Sequence, residues 1–340
     1  MTGWVDELRR REAVFRRAPS AHNTQPWLVR YGADEVAVHW DPARALPDSD
    51  PTGRDLFLSL GAFVEACLIT ATDAGLPVRA QIEVDEASRQ VARLVAADTT
   101  YPSPFPAEAL HRRRCARAAY HPGQLAPDTL AEVAERADLA AAGASLRAVP
   151  CRDLAGLLVD ADRWMFGTPA VVRELREWLR LSPRHPRYAL DGLTDRAMAM
   201  SRAEAVGLAA VLAPRVYPLA RRLGAPALLA AASKGLLRYD GTVLALVGRA
   251  DSPAELVGHS RLVGRADGPA ELVGHGRALL RTWLALGERG LAVHPLSQLI
   301  DCAATAVALR ELLGLAPDAA PLAVFRVGRP VAEPAPSARR

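Results

Sequence analysis

The stretch Ala18-Pro19-Ser20-Ala21-His22-Asn23-Thr24-Gln25-Pro26-Trp27 is the most informative part of this sequence. Its two prolines fix φ at their own positions and push the residues before them out of the α region, which predicts a rigid loop. Asn23 and Gln25 each carry hydrogen-bond donors and acceptors, which suits the edge of a flat heteroaromatic ring. The alternative is a capped turn in which Ser20 and Asn23 bond only to the backbone near them.

This stretch resembles the APSxHNxQPW loop of FMN-dependent nitroreductase-fold proteins, and especially that of their Acg-like branch. In that branch two half-folds are fused in one chain, and the loop borders the flavin. The resemblance implies an α+β, nitroreductase-like fold that is internally duplicated, so that one chain mimics the usual homodimer. It also implies that five loop residues border the FMN: Pro19, Ser20, His22, Asn23 and Gln25.

A run of basic residues, His111-Arg112-Arg113-Arg114-Cys115-Ala116-Arg117, lies in a helix predicted over 107–118. On a helix Arg113 and Arg117 share one face, and guanidinium groups so close repel one another unless an anion such as a phosphate lies between them. The run resembles the nitroreductase RRSxR motif, which implies that the FMN phosphate is held by Arg113, Arg114, Cys115 and Arg117. Cys115 stands where that motif has Ser or Thr, and its S–H is a weaker donor. The alternative is a solvated basic helix face.

Residues 297–302 follow the second central helix at the position of the family's Gln-Pro-x-Glu segment. The resemblance implies that Asp301 and Cys302 border the pyrimidine and N5 side of the flavin. Asp301 replaces the usual Glu, and Leu299 replaces the usual Pro. The alternative is a buried strand end in which Asp301 caps a helix.

A proline-rich link over 98–106 divides the chain into two predicted halves. The predicted units are a first half over 1–100, a second half over 101–330 and a tail over 331–340. The tail is similar to the Pro-rich Pro-Arg-Arg ending of Acg-like proteins. That similarity implies that Arg339 and Arg340 approach the phosphate.

Hydrophobic spacing predicts a similar core in both halves. A 16-residue helical pattern ends in Gly-Leu at 61–76 and again at 276–291, and we expect these two central helices to pack together. A further helix is predicted over 4–17. The predicted strands are 28–31, 36–40, 78–84 and 90–95 in the first half, and 145–149, 242–247 and 322–327 in the second.

Residues 185–237 are rich in Ala, Leu and Arg, which predicts helices interrupted by prolines. Their Asp191-Gly192-Leu193 resembles a segment that arches over the flavin in Acg-like proteins, which implies a helical lid. The alternative is a solvated helical hairpin. A 16-residue unit is repeated in tandem over 246–277, so His259 and His275 are interpreted as repeat copies and not as metal ligands.

Composition narrows the classes of function. The 340 residues carry a net charge of +4 and are 50% hydrophobic, which allows a large core or two domains. The sequence has neither a run of about 18 apolar residues for a membrane span nor a basic and then apolar leader. Because the arginines are dispersed among acids and aromatic residues are only 5%, we expect no nucleic-acid partner. Four scattered cysteines without metal-type spacing favour reduced thiols in a cytoplasmic protein and no metal site: Cys67, Cys115, Cys151 and Cys302.

These observations predict an FMN-dependent oxidoreductase that acts on a small molecule through flavin N5, with NAD(P)H as a candidate electron donor. His22 is the candidate acid or base because histidine titrates near neutrality. Only the first half has the loop and only the second has the arginine run, so we expect one composite site per chain and a monomer that acts as its own dimer. Two alternatives stay open: a protein that sequesters flavin without turnover, and a degenerate fold without flavin.

Overall fold

The computed structural model describes residues 3–249 and 268–339, which form a mixed α+β structure. The helices are α1 (Trp4–Arg10), α2 (Glu12–Phe15), α3 (Arg54–Asp73), α4 (Ala107–Arg112), α5 (Pro127–Arg136), α6 (Cys151–Gly167), α7 (Pro169–Trp178), α8 (Arg202–Val211), α9 (Tyr217–Arg222), α10 (Ala225–Ala232), α11 (Gly268–Glu288), α12 (Gln298–Asp301) and α13 (Ala303–Leu312). The strands are β1 (Trp27–Tyr31), β2 (Glu35–Trp40), β3 (Val78–Asp85), β4 (Gln90–Ala96), β5 (Ser145–Pro150), β6 (Leu179–Arg180), β7 (Leu193–Thr194), β8 (Thr242–Arg249), β9 (Ala292–Pro295) and β10 (Ala319–Gly328). The tandem repeat over 246–277 lies partly outside the described residues, and His259 and Arg340 lie wholly outside them.

Two four-stranded antiparallel sheets have the same strand order. In the first, β1 and β2 form the predicted hairpin, β2 pairs with β4 and β4 pairs with β3. In the second the order is β5-β8-β10-β9. In each sheet the strands taken along the chain therefore lie in the order first, second, fourth, third, and a long helix follows the second strand. All the predicted strands in both halves are confirmed.

The two central helices, α3 and α11, cross where each has a glycine. A Cβ atom built on Gly61 would lie 2.0 Å from the carbonyl oxygen of Val273, and one built on Gly276 would lie 2.2 Å from that of Leu58. Each backbone therefore occupies the space that a side chain would need on the other helix. The prediction that the central helices pack together is confirmed. Among the described residues, α3 is also long and apolar enough to cross a membrane, but 83% of that window is buried in the protein, as expected of a core helix.

A buried ion-pair group ties the same two helices together. Glu65 of α3 is fully buried, and its Oε2 lies 2.8 Å from Arg277 Nε and 3.3 Å from Arg281 Nη1 of α11. Tyr101 donates a 2.7 Å hydrogen bond to Glu65 Oε1. Because the carboxylate is paired and hydrogen-bonded, its charge is compensated inside the core.

Aromatic packing fixes both ends of the 18–27 loop on α3. Trp27, the first residue of β1, stacks on Phe63 with ring centroids 4.5 Å apart, and Phe15, the last residue of α2, meets the same ring edge-on at 5.5 Å. All three rings are buried. The loop between them is therefore held at the start of the helix crossing.

Three helix predictions need correction or refinement. The helix predicted over 4–17 is broken at Arg11, whose φ of −98° and ψ of 12° leave the helical range. The helix predicted over 107–118 ends at Arg112, because Ala116 N–H donates to Val293 O at 2.9 Å along the open edge of β9. The 185–237 segment contains three helices as predicted, together with β7.

Candidate functional site

A cavity of about 360 Å³ lies where the 18–27 loop, α3, the arginine run and β9 meet. It is also lined by α6, α7 and the segment after β6, which supply apolar side chains such as Phe166 and Met198. Nine of the predicted site residues line it: Pro19, Ser20, His22, Asn23, Arg113, Cys115, Arg117, Asp301 and Arg339. The structure therefore brings together residues that are more than 300 positions apart in the chain.

Three predicted site residues do not line the cavity. Gln25 is fully buried, and its Nε2 donates to the Leu190 carbonyl at 2.8 Å. Arg114 turns back onto the carbonyls of its own segment, and Cys302 is buried before α13.

The loop has backbone strain at three positions. His22, Asn23 and Gln25 have φ values of 45°, 55° and 53°, in the left-handed region. Asn tolerates this region, but for other L residues it costs about 1–3 kcal/mol each and persists only where the surroundings enforce it. Here Ser59 Oγ accepts from Ala21 N–H at 3.2 Å and Ser20 Oγ from Gln25 N–H at 2.9 Å. Strain of this kind is typical of functional sites.

The capped-turn alternative describes only part of the loop. Ser20 does bond within the loop, as that alternative predicts. Asn23 does not, because its Nδ2 donates to the carbonyls of Gly192 at 3.2 Å and Ala338 at 3.0 Å. The carboxamide therefore links the loop to two distant segments.

Arg17, Arg113 and Arg339 lie close together, and the last two line the cavity. Arg113 Nη2 and Arg339 Nη2 both donate to the Arg17 carbonyl at 3.1 Å. The Nε atoms of all three are buried without a hydrogen-bond partner, and none of the three pairs with a carboxylate of the described residues. Burial, and then the charges of Arg113 and Arg17, lower the pKa of Arg339 well below its usual value. Such a cluster favours a multiply charged anion.

The members of this cluster differ from those predicted. Arg113 and Arg117 do not share a helix face, because the helix ends before them. Arg117 instead donates to the Ala197 carbonyl at 3.1 Å and lies near two histidines. Arg17 was not predicted; the only local signal for it is its position directly before the loop.

Two buried histidines near Arg117, His22 and His294, line the cavity. Burial, together with the Arg117 charge and against the opposing effect of Asp55, lowers the pKa of His22 to about 4. Burial, followed by Arg117 and Arg326, lowers the pKa of His294 well below its usual value. The Nδ1 atom of each is buried without a partner. The prediction that His22 titrates near neutrality is therefore wrong, and His294, which the sequence did not indicate, is its counterpart on β9.

The low pKa of His22 has a consequence for stability. The unfolded chain takes up a proton below about pH 6.5 while the folded one does not until about pH 4, so stability present above pH 6.5 is lost as the pH falls. We expect this difference in protonation to lower the free energy of unfolding by about 2 kcal/mol between about pH 7.5 and about pH 5. Urea unfolding of the His22→Asn variant should show a drop smaller by that amount. The exposed His111→Asn control should lose as much stability as the wild type; an equal loss in His22→Asn would contradict the assignment.

A group of acidic side chains surrounds Arg54 at the start of α3. Arg54 Nη2 lies 2.7 Å from both Asp55 Oδ1 and Asp301 Oδ1. Asp50 Oδ2 accepts from Leu56 N–H at 2.9 Å, whereas its Oδ1 is buried without a partner. Burial, followed by the Asp55 charge, raises the pKa of Asp50 to about 7. Asp301 therefore pairs with Arg54 of α3, and the alternative in which it caps a helix is wrong, because α13 has Cys302 at its N-cap and no side-chain cap.

Ion pairs and hydrogen bonds hold the segment that contains Asp191 and Gly192 against the 18–27 loop and its neighbours. Asp191 is fully buried and pairs with Arg180 at 2.9 Å and Arg44 at 3.2 Å. Gly192 exchanges hydrogen bonds with Asn23, N–H to carbonyl oxygen at 3.2 Å and carbonyl oxygen to Nδ2 at 3.2 Å. Its φ of +75°, and the 2.4 Å that would separate a Cβ from the Trp178 carbonyl, require glycine.

Comparison with known proteins was made at three levels. No protein-family model matches the chain. Over 140 residues it is 31% identical to the "Putative NAD(P)H nitroreductase Rv3131" of Mycobacterium tuberculosis strain H37Rv and, with the same figures, to its counterpart in strain CDC 1551. The chain resembles nitroreductases. The match spans 40% of this chain and 40% of the length of those curated relatives.

Solved structures with similarity to this chain have lower identity and low TM-scores. The FMN- and NADPH-dependent nitroreductase NfnB from Sphigopyxis sp. strain HMH is 22% identical, with 66% of this chain and 87% of that chain covered and a TM-score of 0.35. NfnB from Mycobacterium smegmatis, solved with NADPH, is 19% identical, with 66% and 89% covered and a TM-score of 0.35. A nitroreductase-like protein from Bacillus cereus is 14% identical, with 72% and 94% covered and a TM-score of 0.34. These scores describe a limited superposition.

Proposed function

We propose that this chain binds one FMN in the cavity and is an FMN-dependent oxidoreductase of the nitroreductase type. The single observation that carries the proposal is the arginine cluster of Arg17, Arg113 and Arg339. Three guanidinium groups with unpartnered Nε atoms, none of which pairs with a carboxylate of the described residues, are suited to a phosphate monoester. The cavity volume also lies in the range of about 300–1,000 Å³ that is usual for cofactor pockets.

The residues of the site divide into two roles. Arg113 and Arg339 hold the phosphate, and Arg17 adds positive charge beside them. His22 and His294, both neutral at pH 7, offer ring nitrogens to the rest of the cofactor without adding charge. When bound, FMN supplies hydride transfer through its N5.

Both halves of the chain contribute to this one cavity. The loop comes from the first half, and the arginine run and β9 come from the second. The equal strand order of the two sheets and the paired glycines at the helix crossing support an internal duplication. We therefore propose that a single chain, with halves at 1–100 and 101–330, does the work of two subunits as a monomer.

The 185–237 segment and the tail over 331–340 are proposed to enclose the cofactor. Leu193, Met198 and Leu208 of the segment line the cavity, as do Ser337 and Arg339 of the tail. We propose on this basis that the segment is a lid. A cytoplasmic location remains a prediction.

Anaerobic mixing of the FMN-loaded protein with NADPH tests the enzymatic proposal. We expect the flavin absorbance to bleach rapidly, because NADPH donates hydride to an accessible flavin. A flavin that stays oxidised under excess NADPH, and also under excess NADH, would contradict NAD(P)H-dependent turnover. The flavin-sequestering alternative would then be favoured. One observation supports that alternative: the Asp191–Gly192 segment is held by the ion pairs of Asp191 with Arg44 and Arg180 and by the hydrogen bonds of Gly192 with Asn23.

A further inference from the structure

Exposed large hydrophobic side chains are concentrated in the 202–238 segment. Of the ten large hydrophobic side chains exposed in the described part of the chain, five lie between 206 and 228. Leu219, Leu223 and Leu228 are 61%, 78% and 74% exposed. Single exposed hydrophobic residues are normal, but a concentration of them marks an interaction surface.

Three of these apolar side chains share one stripe along α9. Val216, Leu219 and Leu223 are spaced three and four residues apart around α9, and Leu228 follows on α10 after a turn at Gly224. The opposite face of α9 packs against the protein, because Tyr217 is buried there and donates a hydrogen bond to the Phe166 carbonyl. The stripe is therefore presented outward by a helix held from behind.

The segment that carries the stripe is rich in positive charge. The segment from 202 to 238 carries six basic residues and one acidic residue, Glu204. All six basic residues are exposed, and none forms an ion pair with the residues that the structure describes: Arg202, Arg215, Arg221, Arg222, Lys234 and Arg238. An apolar stripe flanked by unpaired cations matches the headgroup region of an anionic bilayer.

We propose that this apolar-basic surface, made of Arg215, Val216, Leu219, Arg221, Arg222, Leu223 and Leu228, docks on an anionic membrane surface. A second copy of the chain is a poorer occupant, because two such faces would place their arginines against one another. The absence of a spanning run predicts no membrane partner, but a peripheral contact needs no such run. The proposal does not depend on flavin binding.

Co-sedimentation of the full chain with vesicles tests this proposal. We expect binding to vesicles of equal parts phosphatidylcholine and phosphatidylglycerol, at least about tenfold weaker binding to phosphatidylcholine alone, and loss of binding at high salt. The triple variant Leu219→Ser, Leu223→Ser, Leu228→Ser should lose about tenfold or more, as should Arg215→Gln, Arg221→Gln, Arg222→Gln. The matched control Val307→Ser, Leu312→Ser, which alters exposed apolar residues of α13, should bind as the wild type does.

The proposal would be overturned if the protein sedimented with neither vesicle, if it bound both equally, or if either triple variant bound as well as the wild type. Polyglutamate serves as a soluble polyanion control. Binding to polyglutamate but not to vesicles would also overturn the proposal. Concentration-dependent dimerisation that the leucine variant abolishes, without vesicle binding, would instead assign the surface to a second copy. Because the replaced side chains are exposed, the variants should keep the melting temperature of the wild type, which would show that their fold is intact.

Discussion

Replacing Arg113 and Arg339 together with alanine is expected to weaken FMN binding by a factor of about 10²–10⁴. Each charge-assisted hydrogen bond contributes about 1.5–3 kcal/mol, and the double variant removes two guanidinium groups that would hold the phosphate. Arg17 remains in this variant, so the anion site is reduced and not abolished. Titration of FMN into the apo-protein, followed by quenching of flavin fluorescence, measures the change.

The matched control for this experiment is Arg112→Ala. Arg112 belongs to the same basic run but is exposed and does not line the cavity. The Arg112→Ala variant should keep the FMN affinity within about a factor of two, because the charge of an exposed side chain outside the cavity is screened by salt. Equal losses in the control and the double variant would point to a general charge effect, and undiminished affinity in the double variant would rule out this phosphate site.

Replacing Gly276 with alanine is expected to destabilise the fold by about 3 kcal/mol or more. The added methyl group would lie 2.2 Å from the Leu58 carbonyl oxygen, and a backbone atom inside a packed helix crossing cannot move aside without separating the helices. Gly61→Ala should have a similar effect for the same reason. Urea unfolding measures the change in the free energy of unfolding.

The same helix provides the control for this second prediction. Gly274, two residues earlier in α11, has no atom of the described residues within 4 Å of the position its Cβ would take, apart from its neighbours in the same helix. Gly274→Ala should therefore stabilise the protein by about 0.5–1 kcal/mol, since alanine loses less backbone entropy in a helix. A Gly276→Ala variant as stable as the wild type would contradict the helix crossing.

The sequence predicts the features that local patterns determine. The hairpin after the 18–27 loop, the strands and the two central helices follow from periodicity and from glycine and proline positions. The helix over 107–118 could not be corrected from sequence, because its end depends on a hydrogen bond from Ala116 to Val293, far away in the chain. At this point, pairing with the open edge of β9 overrides the local helix propensity.

The candidate site was predicted in its residue types more than in its geometry. Arg113, Asn23 and Arg339 do line one cavity, but their grouping with Arg17 depends on how the tail folds back. The neutral state of His22 follows from burial, which the loop sequence does not reveal. His294 carries no local signal because a lone histidine in a strand is usually a packing residue.

The number of FMN molecules bound per chain tests the central claim most directly. Native mass spectrometry of the protein reconstituted with FMN, together with its flavin absorbance, gives both the stoichiometry and the oligomeric state. We expect a monomer that carries one FMN. A colourless protein that takes up no FMN, or FMN found only in a dimer, would contradict the account.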